Sequence, residues 1–107
     1  MICPGGRSAV NRALAAMREG QVGYFLPDYT AYQEALGIFA PIQPVVMFQR
    51  YFERPLMPSQ EFENQVSFMG LSAVLLSNPV NPTGQVLEGD ELKNYVDIAR
   101  KHETCII

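Results

Sequence analysis

Residues 73–84 read Ala73-Val74-Leu75-Leu76-Ser77-Asn78-Pro79-Val80-Asn81-Pro82-Thr83-Gly84. The first four side chains are apolar with no polar alternation, the pattern of a strand covered on both faces. The heptad after Ser77 stops that strand. Each proline locks its own φ and keeps the residue before it out of the helical region. Two Asn-Pro steps and a closing glycine therefore make a rigid loop that holds two asparagine amides beyond a buried strand. Taken alone, such a loop is a tight strand-to-helix turn whose asparagines bond their own backbone. It is not a glycosylation acceptor, because Asn81-Pro82-Thr83 carries proline at the excluded position.

Outward from this stretch, helix and strand signals alternate. Downstream, Leu92, Tyr95, Val96 and Ala99 recur at helical spacing, which predicts a helix over 89–102 with that stripe buried. Lys93, Asp97 and Lys101 fall on the opposite face as a solvated ion-pair ladder, and His102 suits the helix carboxyl end. Residues 104–107 begin a fourth strand, with Cys105 as a small core residue. Upstream, Ser59 is placed to cap a helix through 68, 49–60 reads as a connection, and 42–48 as a nearly all-apolar strand. Thr30 is placed to cap a helix over 31–37, after an aromatic and β-branched strand at 22–26. Val10, Ala13, Leu14 and Met17 mark an amphipathic helix over 8–18, closed by Glu19 and by Gly20 in the left-handed cap position.

This order predicts an α/β fold: three layers, α/β/α, around a mostly parallel sheet. Because the last residues, 104–107, read as the start of a buried strand, residues 1–107 are expected to be a single partial domain. In such sheets ligands bind at the carboxyl ends of strands, so chemistry is sought in the residues just after each strand.

Composition narrows the partners. The chain has 107 residues, 8 basic and 11 acidic, for a net charge of −3, so no basic footprint for nucleic acid is expected. The apolar runs at 72–76 and 38–48 are too short or too interrupted to span a bilayer, which takes about 20 apolar residues. Residues 1–6 show no charged segment followed by an apolar one, the mark of a secretory signal. Cys3 and Cys105 fit no metal or redox spacing, and a reducing cytoplasmic setting is the expectation.

The heptad Asn78–Gly84 resembles the Asn-Pro-x-Asn-Pro-Thr-Gly signature of the fold-type I pyridoxal-phosphate enzymes, the class I/II aminotransferase family. The stretch from Gln85-Val86-Leu87 to Ala99-Arg100-Lys101-His102 is similar to that family's following helix. Pro27-Asp28-Tyr29-Thr30-Ala31-Tyr32 resembles its Pro-Gly-Tyr-Pro-x-Tyr segment, with Asp28 in place of the common glycine and Thr30 of the common proline. Gly5-Gly6-Arg7-Ser8-Ala9 resembles the glycine turn that opens the family's phosphate-binding helix, with Arg7 where a small polar residue is usual. The pieces stand in the family's order and cover essentially the whole chain.

The resemblance implies pyridoxal 5'-phosphate (PLP) as cofactor, and an aminotransferase that moves an amino group between an amino acid and a 2-oxo acid. It implies that Gly6, Arg7 and Ser8 cradle the phosphate, that Tyr29 stacks on the cofactor ring, and that Asn81 donates to the cofactor's phenolic oxygen. Asn78 would hold the loop, and Tyr32 would pack on the domain. A cytoplasmic homodimer is the implied assembly. The two lysines, Lys93 and Lys101, lie on the solvated helix face, so neither is placed for the family's Schiff base. The chain is therefore expected to be a segment of the large cofactor-binding domain, without transaminase activity by itself. Lyases and synthases share the framework and remain open. A small phosphate-binding α/β module is a rival, weakened because neither Gly-x-x-x-x-Gly-Lys-Ser/Thr nor Gly-x-Gly-x-x-Gly is present. A non-catalytic interaction domain derived from such an enzyme is another.

Overall fold

The computed structural model describes residues 2–17, 19–39, 41–48 and 57–107. Helix and strand alternate as α1 (Gly6–Met17), β1 (Gly20–Leu26), α2 (Ala31–Ile38), β2 (Ile42–Phe48), α3 (Ser59–Met69), β3 (Ala73–Leu75), α4 (Gly89–Lys101) and β4 (Cys105–Ile106). The four strands form one parallel sheet in the order β2-β1-β3-β4. In register, Val22 of β1 pairs with Pro44 on one side and Ala73 on the other, and Ala73 pairs in turn with Cys105.

The period-2 geometry of a strand sorts the core into two layers. Val22 and Tyr24 of β1 and Ala73 and Leu75 of β3 face Leu14 of α1 and Ala35 and Leu36 of α2. Phe25 and Val74 point the other way, against Phe62 and Val66 of α3 and Tyr95 and Ile98 of α4. The expected three-layer α/β/α sandwich is thus the architecture found. On the α3–α4 side three rings run inward. Phe62 and Tyr95 stack with centroids 4.0 Å apart and planes 1° from parallel, and Phe25 lies 6.4 Å from Phe62. The Tyr95 hydroxyl donates to the carbonyl of Met57. Burial holds that phenol well above the usual tyrosine range, with the charges of Glu91 and Glu61 adding to the effect. Gly23 lets the layers close up: a Cβ there would lie 2.7 Å from Met47 Sδ and 2.9 Å from Leu71 Cδ1.

Several local expectations shift. The first helix starts at Gly6 rather than residue 8, and its expected end at 18 lies outside the described residues. Gly20 is not a left-handed cap but the first residue of β1. Its φ of 124° suits only glycine, and a Cβ would strike Ser72 Oγ at 2.5 Å. Thr30 precedes α2 in helical geometry and makes no side-chain cap bond, while Pro58, not Ser59, precedes α3. Of the expected connection at 49–60, residues 49–56 lie outside the described residues, and Ser59 and Gln60 are already helical.

The α4 stripe is rotated by part of a turn. Tyr95, Ile98 and Ala99 are buried, whereas Leu92 and Val96 are 37% and 39% exposed. The ladder also divides. Lys93 reaches Asp97 at 2.8 Å, but Lys101 crosses to Glu63 of α3 at 2.6 Å, where His102 Nε2 also lies 3.1 Å away. Cys105 is exposed and not a core residue.

The topology locates a crevice. The chain leaves β1 for α2 on one face of the sheet, and returns from β2 through α3 on the other face to reach β3. Adjacent β1 and β3 therefore send their outgoing segments to opposite sides. The gap between their carboxyl ends is the topological switch point, where open α/β sheets bind ligands.

Candidate functional site

Two loops meet at this switch point, joined by side-chain hydrogen bonds. Pro27-Asp28-Tyr29-Thr30 leaves β1, and the stretch from Leu76 to Gly84 leaves β3. Asp28 is buried and accepts two backbone N–H bonds, from Tyr29 at 2.7 Å through Oδ1 and from Ser77 at 3.2 Å through Oδ2. A second tie runs between the hydroxyls of Tyr32 and Ser77, 2.9 Å apart. Beyond it, the Asn78 amide grips Leu87 on both sides: Nδ2 donates to the Leu87 carbonyl at 2.8 Å, and the Leu87 N–H donates to Oδ1 at 2.9 Å. Asn78 thus holds the loop, as expected. The turn inside it closes through Gly84 N–H to the Val80 carbonyl at 2.7 Å and Val80 N–H to the Gln85 carbonyl at 2.8 Å.

The amino end of α1 stands beside the β1 loop. Its first helical bond runs from Ala9 N–H to the Gly5 carbonyl at 3.2 Å. Helix geometry leaves the N–H groups of Gly6, Arg7 and Ser8 without an acceptor inside the helix, turned outward with the positive end of the dipole. Gly6, Arg7 and Val10 of α1, Tyr29, and Ala31, Tyr32 and Ala35 of α2 line a pocket of 290 Å³. Tyr29 is 38% exposed there and meets Tyr32 edge-on at 5.7 Å. Arg7 Nη1 lies 3.7 Å from Glu34 Oε2. A hydrogen bond to Tyr29, and then the charge of Glu34, hold the guanidinium protonated even more firmly than an isolated arginine.

Of the five residues expected at a site, Gly6, Arg7 and Tyr29 meet in this pocket. Ser8 is half-buried in the first turn of α1 and is not among the lining residues, although its N–H belongs to the same free set. Asn81 is exposed at the turn of the β3 loop and is not a lining residue either. The residues missed by sequence reading are Asp28 and Ser77, together with the hydroxyl role of Tyr32. One signal was available for Asp28. A carboxylate two residues past the apolar strand β1, where the resembled family segment has glycine, must find donors, and the free amides at neighbouring strand ends are the nearest supply. Lys93 and Lys101 are paired on the exposed side of the α3–α4 layer and do not line the pocket. Among the described residues, no group of three or more His, Cys, Asp or Glu could hold a metal ion, and no helix is long and apolar enough to cross a membrane.

No family model and no curated protein matches the chain. Solved structures do. The chain is similar to an aspartate aminotransferase from Rhodobacter sphaeroides 2.4.1, with TM-score 0.80 and 24% identity over 96% of this chain and 27% of that one. It is similar to the PLP-bound C–S lyase from Staphylococcus hominis, with TM-score 0.81 and 16% identity over 94% of this chain and 27% of that one. An aminotransferase from Mycobacterium tuberculosis matches with TM-score 0.76 and 19% identity over 94% of this chain and 26% of that one. The chain thus spans about a quarter of the length of these structures. Over that span it has the α/β fold of PLP-dependent aminotransferases and C–S lyases.

Proposed function

We propose that residues 1–107 are a segment of the cofactor-binding domain of a PLP-dependent enzyme that acts on amino acids. The observations that carry this reading are the pocket where Gly6 and Arg7, at the amino end of α1, meet the exposed ring of Tyr29, and the bond from Asp28 to Ser77 that ties the Tyr29 turn to the start of the asparagine loop. They fit a phosphorylated flat heterocycle. The N–H groups of Gly6, Arg7 and Ser8 would receive the phosphate, and the protonated Arg7 guanidinium supplies a cation beside them. The Tyr29 ring offers a plane for stacking. Asn81, on a loop anchored by Asn78, would donate to the ring's phenolic oxygen. PLP, when bound, supplies the electron sink for chemistry at the amino-acid α-carbon. The part of this chain is to bind and orient that sink, since neither of its lysines lines the pocket.

The parent activity we favour is transamination between an amino acid and a 2-oxo acid, in a homodimer within a reducing cytoplasm. The two free cysteines support that setting. A C–S lyase is the second reading, because the lyase from Staphylococcus hominis fits the fold as well as the aminotransferases do. The test uses the full-length protein. PLP should co-purify with it or bind on titration, and Asn81→Ala should shift the visible absorbance of the bound cofactor. A transaminase requires an added 2-oxo acid acceptor, whereas a lyase releases its product without one. A full-length protein that takes up no PLP would end this reading.

A further inference from the structure

We propose that Asp28 is a positioning residue that sets the plane of Tyr29 relative to the asparagine loop, resting on the reading of the site as one for a flat, phosphorylated heteroaromatic ligand. An aspartate leaving a strand can serve only its own turn, bonding a nearby N–H. Asp28 does that with Oδ1, toward Tyr29 N–H at 2.7 Å. Its second oxygen does more: Oδ2 accepts from Ser77 N–H, 49 positions along the chain, at the exit of β3. Asp28 is 8% exposed, so both bonds form where water competes poorly.

Ser77 is also the residue to which Tyr32 is tied, hydroxyl to hydroxyl at 2.9 Å, and Tyr32 is the ring that Tyr29 meets edge-on at 5.7 Å. The backbone of Tyr29 is thus referred to Ser77 through Asp28, and its ring through Tyr32. Ser77 in turn leads directly into Asn78. The stacking face and the asparagine loop share one reference point, although they arise from different strands. Asparagine at position 28 keeps one acceptor and turns an amide N–H₂ toward the other N–H. Alanine keeps neither bond.

The experiment compares wild type, Asp28→Asn and Asp28→Ala in the full-length protein by two readouts. Hydrogen exchange at the Tyr29 and Ser77 amides, without cofactor, reads the anchor. Protection of both amides in wild type, loss of one in Asp28→Asn and loss of both in Asp28→Ala are expected. Equal protection in all three proteins overturns the proposal. The second readout is PLP affinity with the circular dichroism induced in its visible band, which reports ring orientation. Asp28→Asn should bind PLP about tenfold more weakly, the size of one charge-assisted bond lost. Its band should change in shape or sign, while inorganic phosphate binds as in wild type. An unchanged band with unchanged affinity also overturns the proposal. If wild type binds no PLP, the functional reading fails instead, and the exchange readout still decides the role of Asp28.

Discussion

Replacing Asn78 by alanine removes both bonds that clamp Leu87, at 2.8 and 2.9 Å. Leu87 is itself buried at 2% exposure, so water reaches its N–H and carbonyl poorly once the amide is gone. A typical intramolecular hydrogen bond contributes about 0.5–1.5 kcal/mol net, so losing two costs about 1–3 kcal/mol. The loss falls on the stretch between β3 and α4, which carries Asn81 and the two prolines after the asparagines. Amide exchange at Leu87 reads it locally. The rate should rise by about 5- to 150-fold in Asn78→Ala, given tenfold per 1.4 kcal/mol. Asn78→Asp sharpens the test. It retains the acceptor for the Leu87 N–H but turns a second oxygen toward the Leu87 carbonyl. Folding then favours the protonated acid, so the penalty is present above that group's folded pKa and shrinks as pH falls through it. The variant should be worse than alanine at neutral pH and better in acid. Wild-type exchange at Leu87 in Asn78→Ala would refute the clamp.

Gly23→Ala places a Cβ 2.7 Å from Met47 Sδ and 2.9 Å from Leu71 Cδ1, and should lower the urea midpoint by the equivalent of about 1–3 kcal/mol. Tyr95→Phe keeps the stack on Phe62 but strips the donor from the Met57 carbonyl, and should cost about 1–3 kcal/mol in the same assay. The Tyr95 phenol has a raised pKa in the fold, so its stabilising share is complete below about pH 10, where the unfolded phenol titrates. It is lost as pH climbs from there through the folded value, and an ultraviolet titration should show this tyrosine ionising only on unfolding. Glu63→Gln uncouples α3 from Lys101 and His102. Bonds from Lys101, then His102, lower the Glu63 pKa, so its stabilisation holds above the usual carboxylate range and fades as pH falls through the folded value. Variant and wild type should therefore converge in acid and in high salt.

Strand positions were the most legible part of the fold because apolar β-branched and aromatic runs between turn residues have few other uses. The run at 42–48 is the clearest case, matching β2 at both ends. Helix faces were less legible. Leu92 and Val96 share a helical spacing with Tyr95 and Ala99, yet the sheet takes Ile98 instead and leaves those two more than a third exposed. Spacing defines a stripe but not which of two adjacent stripes lies against the strands. Caps failed for a related reason. Thr30 and Ser59 are good cap types, but whether a hydroxyl turns back to a free N–H depends on how the loop arrives, and neither helix uses one.

The candidate site divides along the same line. The glycine turn, Tyr29 and the Asn-Pro heptad are local chemistry: each acts through its own φ restrictions, ring or helix end, and so stands out in the linear chain. Gly6, Arg7 and Tyr29 share a pocket only because α1 and α2 pack on the same face of β1. Asp28 reaches Ser77 only because β3 lies beside β1 after the chain has crossed the sheet. By itself, the sequence determined the alternation of elements, the buried parallel strands and the rigid loop, since these follow from period and backbone restriction over a few residues. Tertiary structure alone decided the strand order, the side of α4 that is buried and the carboxylate bridge across the switch point. Those depend on which surfaces meet, and no residue carries that information in its own type or spacing.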